Sequence, residues 1–338
     1  MKITVVVPNY NGERFLIECF DALRKQTFEG FESILIDNAS ADGSMELMQA
    51  KYPEVRCIQM QENTGFAKAV NTGVEAASAP FVALLNNDAI PEPGWLAALY
   101  RSIRRNARIF SVSSKMIQYN DRTAIDDAGD GFAVTGNAFQ RGHGRHVRRY
   151  CRNARVFSGC GGAALYRKET LLALGGFDER FFAYLEDVDI GFRARLHGYV
   201  NVYCADAIVY HIGSATSSSI SGAFKLRLSA RNNIVLIHKN MPPWMRRLNA
   251  PFLARARRKK EKSYRANGFG AAWDEAVAQA REMVKDIKPE YVGTRFVHQA
   301  GTWLSMWKST FRIGYYKGLR RLLGCARRLA PKRRGRGV

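Results

Sequence analysis

Three carboxylates fall within four residues at Glu186-Asp187-Val188-Asp189, directly after Phe181-Phe182-Ala183-Tyr184. Acids at a helix start are favoured by the helix dipole, and one that faces a cleft can serve as a general base. The same composition also suits an ordinary helix start. A second group, Asn86-Asn87-Asp88, follows the apolar run Phe81–Leu85. A carboxylate at a strand end can share a hard divalent cation with a diphosphate. Magnesium and manganese take oxygen ligands and often bind through one or two carboxylates plus substrate phosphates. Taken alone, the triplet equally suits a polar turn. His211, between Ile208–Tyr210 and Gly213-Ser214, offers an imidazole for a metal, a phosphate or a purely structural bond.

These residues need elements to position them. Ile3–Val7, Ser33–Ile36, Val55–Gln59 and Phe81–Leu85 read as short buried strands. Between them lie helical patterns: Phe15, Cys19, Phe20 and Leu23, then Met45 and Met48, then Phe66–Ala77. Strand–helix alternation predicts a parallel sheet covered by helices, with ligands at the carboxyl ends of the strands. Asn9–Asn11, Asp37 with Asn38, and Asn86–Asp88 then share one edge. From Arg101 to Arg155 the periodicity weakens, and irregular strands with a Gly- and Arg-rich loop are expected. A strand at Gly159–Tyr166 leads into a helix, and Asp187–Leu196 forms another, stopped by Gly198. Val200–Tyr203 and Ile208–His211 read as further strands.

Composition bounds the setting. The chain has 338 residues and a net charge of +22. Residues 241–338 hold 24 Lys and Arg against 6 Asp and Glu, whereas the first 240 hold 28 against 24. A balanced domain is therefore followed by a basic tail that suits anionic partners. The tail contains the run Arg255–Lys262 and a helical stretch near Ala271–Ile287. Trp303, Trp307, Phe311 and Tyr315 then recur at steps of four, continued by Leu319, Leu322 and Leu323 and interleaved with Lys308, Arg312, Lys317, Arg320 and Arg321. Such a helix suits an anionic membrane interface, and it also suits packing on the domain with a solvated basic face. The six cysteines are scattered without metal-type spacing, which fits a reducing compartment. No apolar run is long enough to span a bilayer, and the N-terminal run reads as a strand rather than a leader. A cytoplasmic location, peripheral at the inner face of the cell membrane, is expected.

Seven blocks decide between the alternatives by their order: VVVPNYNG (Val5–Gly12), LIDNASADGS (Leu35–Ser44), ENTGFAKAVNTG (Glu62–Gly73), LLNNDAIP (Leu84–Pro91), FSGCGGAAL (Phe157–Leu165), GGFDERFFAYLEDVDIGFR (Gly175–Arg193) and YHIGSATS (Tyr210–Ser217). Over residues 3–240 the chain resembles the family 2 glycosyltransferases, particularly their bacterial rhamnosyltransferase-like branch. The resemblance implies an α/β GT-A nucleotide-diphospho-sugar transferase fold over residues 1–240, with a mostly parallel sheet flanked by helices. Residues 241–338 would form a basic helical extension. It implies an inverting transfer of rhamnose or a similar sugar from a nucleoside-diphosphate donor to a glycan hydroxyl, the glycan being lipid-linked.

By the same resemblance, Pro8 and Tyr10 line the nucleotide base and Asp37 bonds its edge. Asn63, Gly65 and Asn71 close over ribose and diphosphate, with Asn87 in the same donor set. Asp88 is the last acid of the metal-binding DxD, Asp187 the catalytic base, and His211 a further ligand to Mg2+ or Mn2+. Asn86 and Asn87 replace acids of that motif, so the metal is expected to arrive largely with the donor. Gly161, Gly162, Phe177 and Glu186 are expected around the acceptor. Arg231 is expected near a diphosphate, or in a surface salt bridge.

Three other readings are weaker. A processive synthase needs spanning helices and a Gln-x-x-Arg-Trp block, both missing from the sequence. A nucleic-acid-binding protein leaves the acidic blocks without a purpose, and no nucleic-acid partner is expected. An inactive protein of the same fold would lack the base or the metal acid, whereas Asp187 and Asp88 are both present.

Overall fold

A computed structural model describes residues 1–213 and 222–329, with side chains to residue 312. The Ser214–Ser217 end of the histidine block and the side chains of Tyr315, Lys317, Leu319, Arg320, Arg321, Leu322 and Leu323 lie outside what is described. The first half runs β1 (Ile3–Asn9), α1 (Glu13–Arg24), β2 (Phe31–Asp37), α2 (Ser44–Lys51), β3 (Arg56–Gln59), α3 (Gly65–Ala76) and β4 (Phe81–Leu85). Next come β5 (Ala89–Pro91), α4 (Trp95–Ile103), β6 (Ile109–Gln118), β7 (Ile125–Asp127), β8 (Asp130–Phe132), β9 (Ala138–Gln140) and β10 (Ala154–Val156). β11 (Ala163–Arg167), α5 (Lys168–Ala173), α6 (Glu186–Leu196) and β12 (Val200–His211) complete the sheet region. Four helices follow: α7 (Gly222–Asn240), α8 (Pro243–Ala266), α9 (Gly270–Met283) and α10 (Phe296–Leu329).

The main sheet is ordered β10-β12-β6-β11-β4-β1-β2-β3, with β5 added to β12 and β7 to β6. β4, β1, β2 and β3 are parallel, as the strand–helix alternation predicts. β11 runs antiparallel between β4 and β6, and β12 is parallel to β6. The β-branched run of β1 is buried on both faces, which is what a central strand under two helical layers requires. One apolar layer packs Leu16, Phe20, Trp95 and Leu99 of α1 and α4. The opposite layer packs Val70, Val74, Ile190 and Ala194 of α3 and α6.

β6 is the main departure from the sequence reading, which expected irregular strands and a loop between Arg101 and Arg155 and no long regular strand there. It is a ten-residue central strand, buried almost throughout. Its hydrophobic signal is diluted by buried serines whose hydroxyls find partners: Ser111 Oγ donates to Asn201 (2.8 Å), and Ser114 Oγ accepts from Trp95 (2.8 Å). Val200–Tyr203 and Ile208–His211 are one strand with an irregular register between them.

The boundary drawn at residue 240 is not a break in packing. Phe132, Phe157, Val188 and Phe192 share a core with Leu236, Met241, Met245 and Met306. On α10, Trp303 packs on Trp244 (5.9 Å between centroids) and donates to Asn249 (3.1 Å), and Trp307 packs on Phe252 (5.4 Å). The two tryptophans of the expected interfacial stripe are therefore partly buried against protein, whereas Phe311 is exposed. No helix among the described residues is long and apolar enough to cross a membrane.

Candidate active site

The carboxyl ends of β1, β2 and β4 meet through amide side chains. Asn9, buried at the end of β1, donates to Asp37 Oδ1 (3.0 Å) and Ser44 Oγ (3.0 Å). Its carbonyl oxygen accepts from Asn87 Nδ2 (2.6 Å), which locks the Asn86–Asp88 turn against β1. Asp37 is fully buried and both its oxygens are engaged, Oδ1 by Asn9 and Ser40 and Oδ2 by the Ser40 amide. The next residue, Asn38, donates to Asn63 Oδ1 (2.9 Å) and accepts from the Thr64 amide (3.0 Å), which fixes the entrance to α3. Pro8 and Tyr10 are partly exposed at the same strand end.

Asp88 is brought to His211 by the sheet. β5 pairs antiparallel with β12, Ala89 opposite His211, and the Ile212 amide donates to Asp88 O (3.0 Å). His211 Nε2 then lies 3.3 Å from Asp88 Oδ1, and Nδ1 lies 2.8 Å from Asp126 Oδ2. Burial opposes charge on this ring, but hydrogen bonds and the charges of Asp126 and Asp88 outweigh it and push its pKa up to about 10. Nδ1–H is given to Asp126 and Nε2 faces Asp88, the orientation that a carboxylate behind the ring gives a metal-binding histidine.

Asp187 stands at the start of α6, partly exposed. The Gly161 amide donates to its Oδ2 (2.9 Å) and the Val188 amide to its Oδ1 (2.7 Å). Burial raises its pKa, and these two amide bonds act in the opposite direction. Gly161 lies against Asp187, while Gly162 O accepts from the Asn86 amide (2.8 Å). The Gly161-Gly162 turn thus joins Asp187 to the Asp88 segment. A side chain at Gly162 would crowd Asn86, with a Cβ 3.2 Å from Asn86 Nδ2.

The turn before Asp187 is strained. Phe182, Tyr184 and Leu185 all have positive φ (62, 72 and 71°), a region non-glycine residues rarely occupy. Asn232 on α7 holds it, donating to Phe181 O (2.9 Å), Ala183 O (2.8 Å) and Tyr184 O (2.8 Å). Gly65 (φ 84°) lets this turn close on α3, because a Cβ there would lie 2.5 Å from Phe182 O. Asn71 completes the junction by donating to Phe177 O (2.8 Å) and accepting from the Phe177 amide (2.9 Å).

A model of the family described as Glycosyl transferase family 2 matches residues 4–175. The chain belongs to this family. It is 28% identical over 262 residues to the N-acetylglucosaminyl-diphospho-decaprenol L-rhamnosyltransferase of Mycobacterium tuberculosis, a match covering 71% of this chain and 83% of that protein. Glycosyltransferase GlyG of Streptococcus pneumoniae is 32% identical over 105 residues, but the match spans only 30% of this chain and 35% of GlyG. Among solved structures, S. aureus TarS in complex with UDP-GlcNAc aligns at TM-score 0.58 and 19% identity, covering 84% of this chain and 82% of that one. Mannosyltransferase PcManGT of Pyrobaculum calidifontis, in complex with GDP-Man and Mn2+, aligns at TM-score 0.54 and 17% identity, covering 90% and 85%. The family 2 chain thus has the GT-A fold.

Three residues expected in its site lie elsewhere. Phe177 is buried in the core, edge-on to Tyr166 (5.6 Å), because its backbone, not its ring, serves the site through Asn71. Glu186 is buried, and burial together with the neighbouring Asp187 raises its pKa well above the carboxylate range. Arg231 makes no salt bridge among the described residues; it donates to Arg180 O and Phe181 O (both 3.0 Å) and supports the strained turn. Asp189, third of the acids, is spent on a buried network with Arg193 (2.7 Å), Lys239 (2.9 Å) and Asn240 (2.7 Å).

Sequence reasoning singled out the Arg231-Asn232 pair for its arginine rather than its asparagine, and missed Asp126 and a largely buried group of Asp127, Asp130 and Cys160, whose ligand atoms lie within 4.8 Å of one another. Burial pushes the Asp127 carboxyl up to about 7 against a hydrogen bond from the Gly129 amide. The adjacent pair Asp126-Asp127 was the available signal, hidden in the stretch of weak periodicity.

Proposed function

We propose that the chain is an inverting glycosyltransferase in which Asp187 removes the proton of an acceptor hydroxyl as that oxygen attacks the anomeric carbon of a nucleoside-diphosphate sugar. The observation that carries this reading is the Gly161-Gly162 turn, which ties the carboxylate of Asp187 to the strand end that presents Asp88. The amides of Gly161 and Val188 fix that carboxylate, and it keeps partial exposure. Asp189 and Glu186 do not compete for the role, one being ion-paired and the other buried. One base and one displacement invert the centre, through an oxocarbenium-like transition state of the kind seen in glycoside hydrolysis.

Asp88 and His211 would form a carboxylate–imidazole pair for a divalent cation, which on binding would displace the Nε2 proton that the two carboxylates otherwise hold on the ring, with Asp126 keeping Nδ1–H. The nitrogen donor favours Mn2+ over Mg2+, which prefers an all-oxygen shell. Bound there, the cation supplies Lewis-acid stabilisation of the departing diphosphate. Pro8 and Tyr10 hold the base, whereas Asp37, fully buried and bonded to Asn9 and Ser40, supports that strand end from beneath rather than touching the base. Asn63, Gly65, Asn71 and Asn87 shape the ribose and diphosphate cradle. Similarity to the mycobacterial enzyme supports L-rhamnose as the sugar and a lipid-linked glycan as acceptor; we further propose that the reaction serves cell-surface polysaccharide synthesis at the inner face of the cell membrane.

The test is Asp187→Asn. Turnover should fall by about 10²–10⁴-fold, the usual contribution of a general base. Thermal stabilisation by donor nucleotide and Mn2+ should persist. Wild-type turnover in this variant would remove Asp187 from the role.

A further inference from the structure

We infer that the face built by α8 and α10, with the cleft they close against β8 and β9, docks on an anionic phospholipid surface. Two independent observations meet there. The first is the distribution of exposed apolar side chains. Of nine large hydrophobic residues exposed among the described residues, seven lie between Leu248 and Phe311. Leu248 and Phe252 on α8, and Val297, Leu304 and Phe311 on α10, recur at helical spacing, so each helix presents them along one side.

The second observation is charge. An open cleft of about 1840 Å³ beside these residues is lined by ten Lys and Arg side chains against one carboxylate, Asp130. Arg255 and Lys259 continue the Leu248–Phe252 side of α8, and Lys308 lies between Leu304 and Phe311 on α10. The cations crowd one another. Arg312 acts on Arg141 and Arg155 on Arg195, in each case adding to burial to lower the pKa. Arg141, Arg195, Arg255, Lys259, Lys308 and Arg312 form no salt bridge among the described residues, and Arg195 Nε is buried without a hydrogen-bond partner. A cleft that gathers ten cationic side chains against one carboxylate is completed by anions from outside.

Apolar side chains that flank a cationic cleft match the layered chemistry of a bilayer interface, hydrocarbon beneath phosphate. A nucleic acid would use the cations and leave Leu248, Phe252, Val297 and Leu304 exposed. The inference also changes which residues meet lipid: the tryptophans of α10 pack on protein, and Leu304 and Phe311 take their place. It deepens the proposal of a lipid-linked acceptor, but its test needs no catalysis.

The full chain is sedimented with vesicles of phosphatidylcholine alone or mixed with phosphatidylglycerol, and circular dichroism checks folding of every variant. Wild type should bind only the mixed vesicles and release as salt rises. Arg255→Glu with Lys259→Glu, and separately Leu304→Ser with Phe311→Ser, should each lower lipid affinity by about tenfold or more. Trp303→Phe should bind as wild type does. Equal binding by folded variants, equal binding to neutral vesicles, or a preference for duplex DNA over anionic vesicles would overturn the inference. A loss confined to Trp303→Phe would overturn it too, and would restore the tryptophan stripe as the docking element.

Discussion

His211 Nδ1 lies 2.8 Å from Asp126 Oδ2, so a residue at the end of β12 is oriented by one in β7. The contact is a consequence of register. β6 pairs with both strands, placing Gln118 opposite His211 and Met116 opposite Asp127. Asp126→Asn should keep the fold but weaken the hold on the imidazole. Mn2+ affinity in the presence of donor nucleotide, followed by electron paramagnetic resonance, is expected to fall by about 10–100-fold, the usual cost of losing a carboxylate that orients a liganding histidine. An unchanged affinity would mean that His211 takes no part in binding metal.

The pH dependence of kcat/KM should carry an acid limb belonging to Asp187. Burial raises this carboxyl, so activity should be lost as pH falls through a value above about 4, the ordinary aspartate pKa. The sign follows from the role: a base works only when deprotonated. A rate profile that climbs toward low pH would contradict it.

Asn232 should matter to catalysis without touching substrate. Asn232→Ala removes the donors to Phe181 O, Ala183 O and Tyr184 O and frees a turn held at positive φ. A loss of about 1–3 kcal/mol in stability is expected from the unsatisfied carbonyls. kcat should fall more than donor affinity, because the turn aims Asp187 and not the nucleotide site. Calorimetry and steady-state kinetics on the same variant separate the two effects.

Lys239 is almost fully buried between Asp178 (2.7 Å) and Asp189 (2.9 Å). Lys239→Met would remove the cation shared by two carboxylates, leaving Asp178 with Arg180 and Asp189 with Arg193, and should cost about 1–3 kcal/mol in urea denaturation at neutral pH. Burial alone would raise the Asp178 pKa, but hydrogen bonds and charge from Arg180 and Lys239 hold it well below the usual carboxylate range. Its contribution to stability is therefore present above pH 4 or so and is lost as pH drops below that. The variant should show a weaker acid dependence than wild type.

Much of this was legible along the chain. Alternating β-branched runs and amphipathic helices announced the β1–β4 half of the sheet, and polar residues after each strand marked the edge where the site lies. Those signals are local: a strand buried on both faces has to be apolar, and a strand end has to turn. The ordered blocks added the family and singled out Asp187 and Asp88. β6 escaped because buried serines do for it what apolar residues do for the other strands, given partners that only the fold supplies. Asp126 escaped for the same reason, since nothing near it in sequence says it faces His211.

Roles among neighbours of like chemistry were also beyond the sequence. Glu186, Asp187 and Asp189 are equivalent acids on paper, and helix rotation alone sends one to the cleft, one into the core and one to Lys239. The tryptophans of α10 and its other apolar residues were likewise indistinguishable until packing on Trp244 and Phe252 buried one set and left the other at the surface. Asp187 as a carboxylate at a helix start was a property of the sequence. The Gly161 and Val188 amides that aim it, the strained turn that carries it and the Asn232 that holds that turn come from distant segments, and only tertiary packing brings them together.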